Sequence, residues 1–331
     1  TKKRDYVIID APGHKEFIRN MITGASQADL AILLIDTNDG IKEQTKRHPY
    51  IVKMLGIKNL IVAVNKMDLI NYNKNKFDEI KNELLLSLEK IGLNPDHIIP
   101  ISALEGENMI NKSNKMEWYK DITLLDSLDK FTIKNRIKKH LRLPVQDIYD
   151  LDNKKVIVGK IESGTLKVND NIKIMPLNKN DKIKSIESFN TKKDFALTGD
   201  NIGLTLFNDN DIKTGMVICN DNNLPKIKRE FRAKLFWMSN NDLILNDNLI
   251  LRCSTQEVKC KVNKIEKRID SSTLDIIEEN SRLLKETEVG EVMIKTEEDL
   301  VIEDFNDIPE LGRFVIIKEF DIAGAGIITL N

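Results

Sequence analysis

Residues 60–68 read Leu60-Ile61-Val62-Ala63-Val64-Asn65-Lys66-Met67-Asp68, five uninterrupted apolar residues that stop at a polar quartet. An apolar run without alternation suits a strand covered on both faces, so the segment points to a parallel sheet in an α/β domain. Outward from it the same grammar repeats. Ala31 to Ile35 closes on Asp36, His97 to Ile101 closes on Ser102, and Tyr6 to Ile9 closes on Asp10. Helical spacing fills the intervals: Phe17, Ile18, Met21 and Ile22 between His14 and Ser26, a stretch from Glu43 to Leu55 stopped by Gly56, and a stripe of Phe77, Ile80, Leu84, Leu88 and Ile91 before Gly92. Leu124, Leu125, Leu128 and Phe131 mark a further helix. In such sheets ligands sit beyond the carboxyl ends of the strands, where Asp10, Asp36, Asn65 and Ser102 fall.

After about Leu143 the period changes. Short runs such as Val156–Val158, Ile172–Ile174 and Met216–Ile218 are separated by turn signals at Ser163-Gly164, Asn169-Asp170 and Thr198-Gly199, which reads as a small closed β-barrel. Pro225 and the polar stretch to Glu230 suggest a boundary, and the runs from Phe231 onward read as a second barrel. Leu274 to Leu284 has a helical look but lies between strands. The expected organisation is an α/β parallel-sheet domain over residues 1–141, a β-barrel over 142–225 and a second β-barrel over 226–331.

Composition narrows the class. The chain has 331 residues, 41% apolar and 31% charged, which is ordinary for folded domains and too long for one core. No run reaches the roughly 18 to 20 apolar residues of a membrane span, and the start Thr1-Lys2-Lys3-Arg4 opens no secretory signal, so a soluble cytoplasmic protein is expected. A net charge of -1 gives no overall positive field, which weighs against a nucleic-acid partner. Lys134, Arg136, Lys138, Lys139 and Arg142 form the richest basic run, expected as a solvated domain junction, with a partner or phosphate surface as the alternative. Cys219, Cys253 and Cys260 are too far apart and too few for a disulfide framework or a zinc knuckle.

Three loops at strand ends carry candidate chemistry. An ionised carboxylate at Asp68 can accept from both the ring N–H and the exocyclic amino group of guanine, donors that adenine lacks in that arrangement. Lys66 can lay its stem along a base and Asn65 can tie neighbouring loops, although a polar loop after a strand is the plain alternative. Ser102-Ala103-Leu104 offers backbone N–H groups to the guanine oxygen. Asp10-Ala11-Pro12-Gly13-His14 fits a terminal phosphate: Asp10 can hold Mg2+ through a water, Gly13 can offer its N–H, and His14 can orient an attacking water. An ordinary Pro-Gly turn is the alternative there.

These motifs, with Asn20 to Ala25, resemble the elongation factor Tu and elongation factor 1-alpha superfamily. Narrower matches run through Ser102–Asn108, Glu117–Tyr119, Leu143–Asp147, Ile161–Leu166, Leu235–Met238, Ile269–Leu274, Gly312–Phe314 and Ile322–Gly324. They resemble the large, GTP-binding subunit of bacterial sulfate adenylyltransferase. That resemblance implies a GTPase coupling GTP hydrolysis to formation of adenosine 5'-phosphosulfate, beside a smaller catalytic subunit that uses ATP and sulfate. It implies Asn65, Lys66, Asp68, Ser102, Ala103 and Leu104 at the guanine, Asp10 to His14 at the phosphate, and Mg2+ with GTP. The superfamily's glycine-rich phosphate loop and first-switch threonine are not in the sequence, so a piece of a longer gene product is expected. Two other readings share the architecture: an elongation-factor-like translational GTPase that binds aminoacyl-tRNA, and a non-enzymatic barrel module with a decayed nucleotide domain.

Overall fold

The computed structural model of the protein describes residues 1, 3–10, 28–57, 59–132, 139–151, 154–188, 191–208 and 211–330. Strands β1 (Ala31–Asp36), β2 (Leu60–Asn65) and β3 (His97–Pro100) form a parallel sheet in the order β1-β2-β3. The central strand shows why its sequence does not alternate. Leu60, Val62 and Val64 enter one apolar cluster, while Ile61 and Ala63 enter another with Ile99, Ile101 and Ile122. All five side chains are essentially excluded from water, each large one being worth about 1.5 to 3 kcal/mol of burial.

Helices α1 (Glu43–Met54), α2 (Lys74–Lys90) and α3 (Leu124–Lys130) lie in the intervals that the periodicity marks. The buried stripe of α2 is Phe77, Ile80, Leu84 and Leu88, and these four line the first cluster. Asn73 caps α2 by accepting from the Lys76 N–H, and Thr123 caps α3 by accepting from the Asp126 N–H. Each cap satisfies a backbone donor that the helix leaves unpaired.

One expected strand is absent. Residues Tyr6–Ile9 join no sheet among the described residues, Val7 and Ile8 being about nine-tenths exposed, and Tyr6 donates its hydroxyl to Asp129. An apolar run becomes a buried strand only when a neighbour offers a ladder and a covering layer, and among the described residues this run has neither. The helix expected from His14 to Ser26 lies outside the described residues.

The next nine strands are β4 (Arg142–Leu151), β5 (Lys154–Lys160), β6 (Thr165–Lys167), β7 (Asn171–Met175), β8 (Lys179–Ser188), β9 (Thr191–Lys193), β10 (Phe195–Leu197), β11 (Asn201–Leu206) and β12 (Val217–Asn220). The sheet runs β11-β5-β4-β12-β7-β8, and β8 pairs back onto β11, closing a barrel. Leu143, Val145, Ile157, Ile174 and Leu204 fill it.

The last nine are β13 (Lys226–Trp237), β14 (Leu243–Ile244), β15 (Leu249–Cys253), β16 (Gln256–Asp270), β17 (Ile276–Ser281), β18 (Leu283–Leu284), β19 (Glu288–Ile302), β20 (Arg313–Lys318) and β21 (Asp321–Thr329). Here the order is β15-β20-β21-β13-β19-β16, with β16 closing onto β15. Trp237 is fully buried in this core, and its indole N–H donates to the Asn241 carbonyl, so the largest side chain leaves no orphan donor. The helical look of Leu274 to Leu284 is not realised: β17 and β18 occupy it, because β16 supplies a ladder for β17. Closure pairs the edges that an open sheet would leave.

The chain divides into two compact units, Thr1–Ile133 with Ile269–Ile276, and Lys134–Arg268 with Ile277–Asn331. Both barrels belong to the second, and their seam corrects the reading of Arg142, the last residue of the basic run. Arg142 is buried rather than solvated: Nε donates to Glu303 at 2.6 Å, Nη1 to the carbonyls of Leu141 and Asn223, and Nη2 to the Asn223 side chain at 2.8 Å. Beside it Met175, Val217 and Cys219 of one barrel pack on Val301, Ile308 and Leu311 of the other. The three cysteines are free and buried, and burial raises the Cys219 thiol to about 11 and those of Cys253 and Cys260 to about 12. Such thiols stay protonated and unreactive. Among the described residues no helix is long and apolar enough to cross a membrane.

Candidate functional site

The carboxyl edge of the parallel sheet gathers polar side chains from three successive loops. Asp36 and Asn65 end paired strands in register, and Ser102 lies two residues past the end of β3. After Asn65 the chain turns through Lys66 in the left-handed region at φ 66°, then through a single 3-10 turn, Met67–Ile70. That turn is pinned from below: the Met67 N–H donates to the Ile101 carbonyl, the Lys66 carbonyl accepts from Thr37 Oγ1 at 2.8 Å, and Met67 is wholly buried.

Asn65 works across the gap. Its Oδ1 accepts from its neighbour Lys66 N–H at 2.8 Å and from the Ala103 N–H at 3.0 Å, so one carboxamide joins the two loops. Ser102, fully buried, donates its hydroxyl to Asp68 Oδ1 at 2.6 Å and accepts from the Glu105 N–H at 3.3 Å. The other carboxylate oxygen of Asp68 has no hydrogen-bond partner among the described residues, and the side chain is only half-buried. Ala103 and Leu104 face solvent, Leu104 at 88%.

Lys66 reaches Asp36, with Nζ 2.6 Å from Oδ2. Burial alone would push the Asp36 carboxyl up, but the Lys66 ammonium and the N–H groups of Asn38 and Asp39 more than offset it, leaving Asp36 below its ordinary value. The same contact raises Lys66. Both groups are therefore ionised at neutral pH.

The arrangement brings Asn65, Lys66, Asp68, Ser102, Ala103 and Leu104 to one sheet edge. It does not bring Asp10 there by any bond: Asp10 is exposed and makes no hydrogen bond or ion pair with the described residues. Ala11, Pro12, Gly13 and His14 lie outside the described residues. Sequence reasoning missed Thr37, Glu105, Tyr72 and Lys115. Tyr72 and Lys115 meet on Glu105, a convergence of residues far apart in sequence that no local pattern announces.

A parallel sheet with polar loops at its carboxyl edge, followed by two closed barrels, defines a three-domain α/β and double-barrel class. The comparisons fix the family. The model of the Elongation factor Tu GTP binding domain matches residues 1–134, that of Elongation factor Tu domain 2 matches 154–219, and the GTP-eEF1A C-terminal domain-like model matches 230–329. Elongation factor 1-alpha of Methanospirillum hungatei is 38% identical over 96% of this chain and 76% of its own length. That of Pyrococcus furiosus is 37% identical over 96% of this chain and 77% of its own length. The crystal structure of sup35 complexed with GDP matches 93% of this chain and 79% of its own with a TM-score of 0.58 at 23% identity, a likeness of fold. The chain belongs to the elongation factor Tu and elongation factor 1-alpha family of GTP-binding GTPases.

Membership corrects the narrower expectation. The protein is not a sulfate adenylyltransferase subunit, and the ATP, the sulfate, the adenylyl transfer, the small catalytic subunit and the reading against a nucleic-acid partner fall away, as relatives named Elongation factor 1-alpha match nearly the whole chain. The structure shows why the short matches misled. Leu235, Phe236, Trp237 and Met238 are all buried, Leu235 and Trp237 in the barrel core, Gly312 lies against the Phe305 backbone, and Trp118 packs on Phe77 with centroids 5.3 Å apart. Such residues report how the domains pack, which is common to the architecture and silent about its use.

Proposed function

We propose that the protein is a translational GTPase of the elongation-factor type, binding guanine nucleotide at the β2 and β3 loops and aminoacyl-tRNA in its GTP state. The observation that carries the nucleotide reading is the Asp68 carboxylate, held on one oxygen by Ser102 and, among the described residues, without a hydrogen-bond partner on the other. A carboxylate fixed in that way can take both donors of the guanine edge, and adenine would leave it unpaired. Asn65 keeps the Ala103 N–H in place beside it, and Lys66 flanks the base position. On the phosphate side, Asp10 would hold Mg2+ through water, Gly13 would offer its N–H to the terminal phosphate, and His14 would orient the attacking water. Mg2+ would neutralise charge on the phosphates. Oxygen donors suit it, and it takes most of its ligands from phosphate and water rather than from a protein cage. In this reading the domains are residues 1–141, 142–225 and 226–331. Family membership supports a cytoplasmic setting.

The test is GTP-dependent protection of aminoacyl-tRNA. In the full-length protein, GTP should slow spontaneous hydrolysis of the aminoacyl ester and GDP should not. Binding of GTP without any such protection would remove the tRNA-delivery reading.

A further inference from the structure

Beside the guanine contacts stands a second group of side chains that those contacts do not use. Tyr72 donates its hydroxyl to Glu105 Oε2, and Lys115 Nζ donates to the same oxygen. Lys115 also lies 3.3 Å from the Tyr72 hydroxyl, 5.1 Å above its ring and 3.7 Å from Glu107 Oε1. Glu105 is the residue whose backbone N–H reaches the Ser102 hydroxyl, and that hydroxyl holds Asp68.

The anchors and the anchored differ in their footing. Tyr72, in the left-handed region at φ 57°, follows the 3-10 turn, donates its N–H to the Met67 carbonyl and accepts on its own carbonyl from the Trp118 indole at 3.1 Å. Lys115 belongs to a segment tied down by the Ser113 N–H on Asn108 and by Asn108 on the Pro100 carbonyl. The turn through Ala103, Leu104 and Gly106 is exposed and carries no apolar residue into a core. Polar restraints alone keep it in place.

We propose that Tyr72, Glu105 and Lys115 form a lock that holds the turn after Ser102 against Asp68, and that these positioning residues set how fast guanine nucleotide leaves. The inference rests on the guanine reading of the site. Opening the turn to release a base requires moving the Glu105 peptide, which pulls Glu105 Oε2 off two donors. Glu105 and Lys115 are partly exposed, so the lock is modest and salt weakens it.

The experiment follows release of a fluorescent GDP analogue from the full-length protein by stopped flow, in the wild type and in Tyr72→Phe, Glu105→Gln, Lys115→Met and the Tyr72→Phe/Glu105→Gln pair. Each single change should speed release about two- to fivefold. The pair should add little to Glu105→Gln alone, since both act through one oxygen. Salt should accelerate wild-type release and leave Glu105→Gln nearly unmoved. Unchanged release in all three single variants, or faster release that tracks a lowered melting temperature with the salt response intact, would overturn the lock. A wild type that shows no guanine preference would overturn the nucleotide reading itself, an outcome separate from either.

Discussion

The carboxyl edge of the parallel sheet and the seam between the barrels are both held by charged residues, and burial separates what those residues do. At the edge, Lys66 and Asp36 pair with side chains 51% and 24% exposed. At the seam, Arg142 meets Glu303 with side chains 2% and 15% exposed, and the guanidinium has further partners in Leu141 and Asn223. In water-exposed surroundings an ion pair contributes little and can part without penalty, which suits a loop that must admit and release a ligand. A charge sealed from water is costly to leave alone, so its network fixes one arrangement of the strands around it. The edge is built to exchange partners and the seam to keep them.

The seam should give the largest effect. Arg142→Ala strands Glu303 in a largely closed site and should cost about 3 to 5 kcal/mol, read from the denaturant midpoint. Arg142→Met with Glu303→Leu should recover much of that loss. A single change costing under about 1 kcal/mol would place the seam among surface pairs and break the contrast.

Next comes Asp68→Asn. The amide keeps an oxygen for Ser102 but offers a donor where guanine presents donors, so affinity for GTP should fall by about 2 to 3 kcal/mol and preference should move toward xanthosine triphosphate. Competition titrations of both nucleotides decide it. Folding stability should change by no more than about 0.5 kcal/mol, since the amide keeps the oxygen that Ser102 bonds and the side chain is only half-buried.

The smallest effect belongs to Asp36. Its carboxyl titrates below the ordinary value, so its contribution is complete above about pH 4 and is lost as the pH falls through the depressed folded value. Asp36→Asn should flatten the acid limb of the stability curve, with less than about 1 kcal/mol change at neutral pH. An unchanged acid limb would show that Lys66 holds Asp36 only loosely.

Much of the fold was legible because period is a local property. Leu60 to Val64 needed covering layers on both faces whatever the rest of the chain did, and Phe77, Ile80, Leu84 and Leu88 had one common face to bury. The strand-to-loop switches at Asn65 and Ser102 could be read the same way. Tyr6 to Ile9 and Leu274 to Leu284 could not, since whether a run pairs depends on a distant strand offering its ladder. Core matches such as Trp237 and Gly312 named an architecture correctly and a branch wrongly, because packing constrains shape without constraining chemistry.

By itself, then, the sequence determined the layering of the parallel sheet, the change to short strands after Leu143, and the polar quartet that ends β2. Tertiary structure alone decided that Arg142 is sealed against Glu303, that both barrels close by β8 on β11 and β16 on β15, and that Tyr72 and Lys115 share an oxygen of Glu105. The division has a physical cause: hydrophobic period is set by neighbours a few residues away, whereas desolvation of a charge and closure of a sheet depend on residues brought together only when the chain has folded.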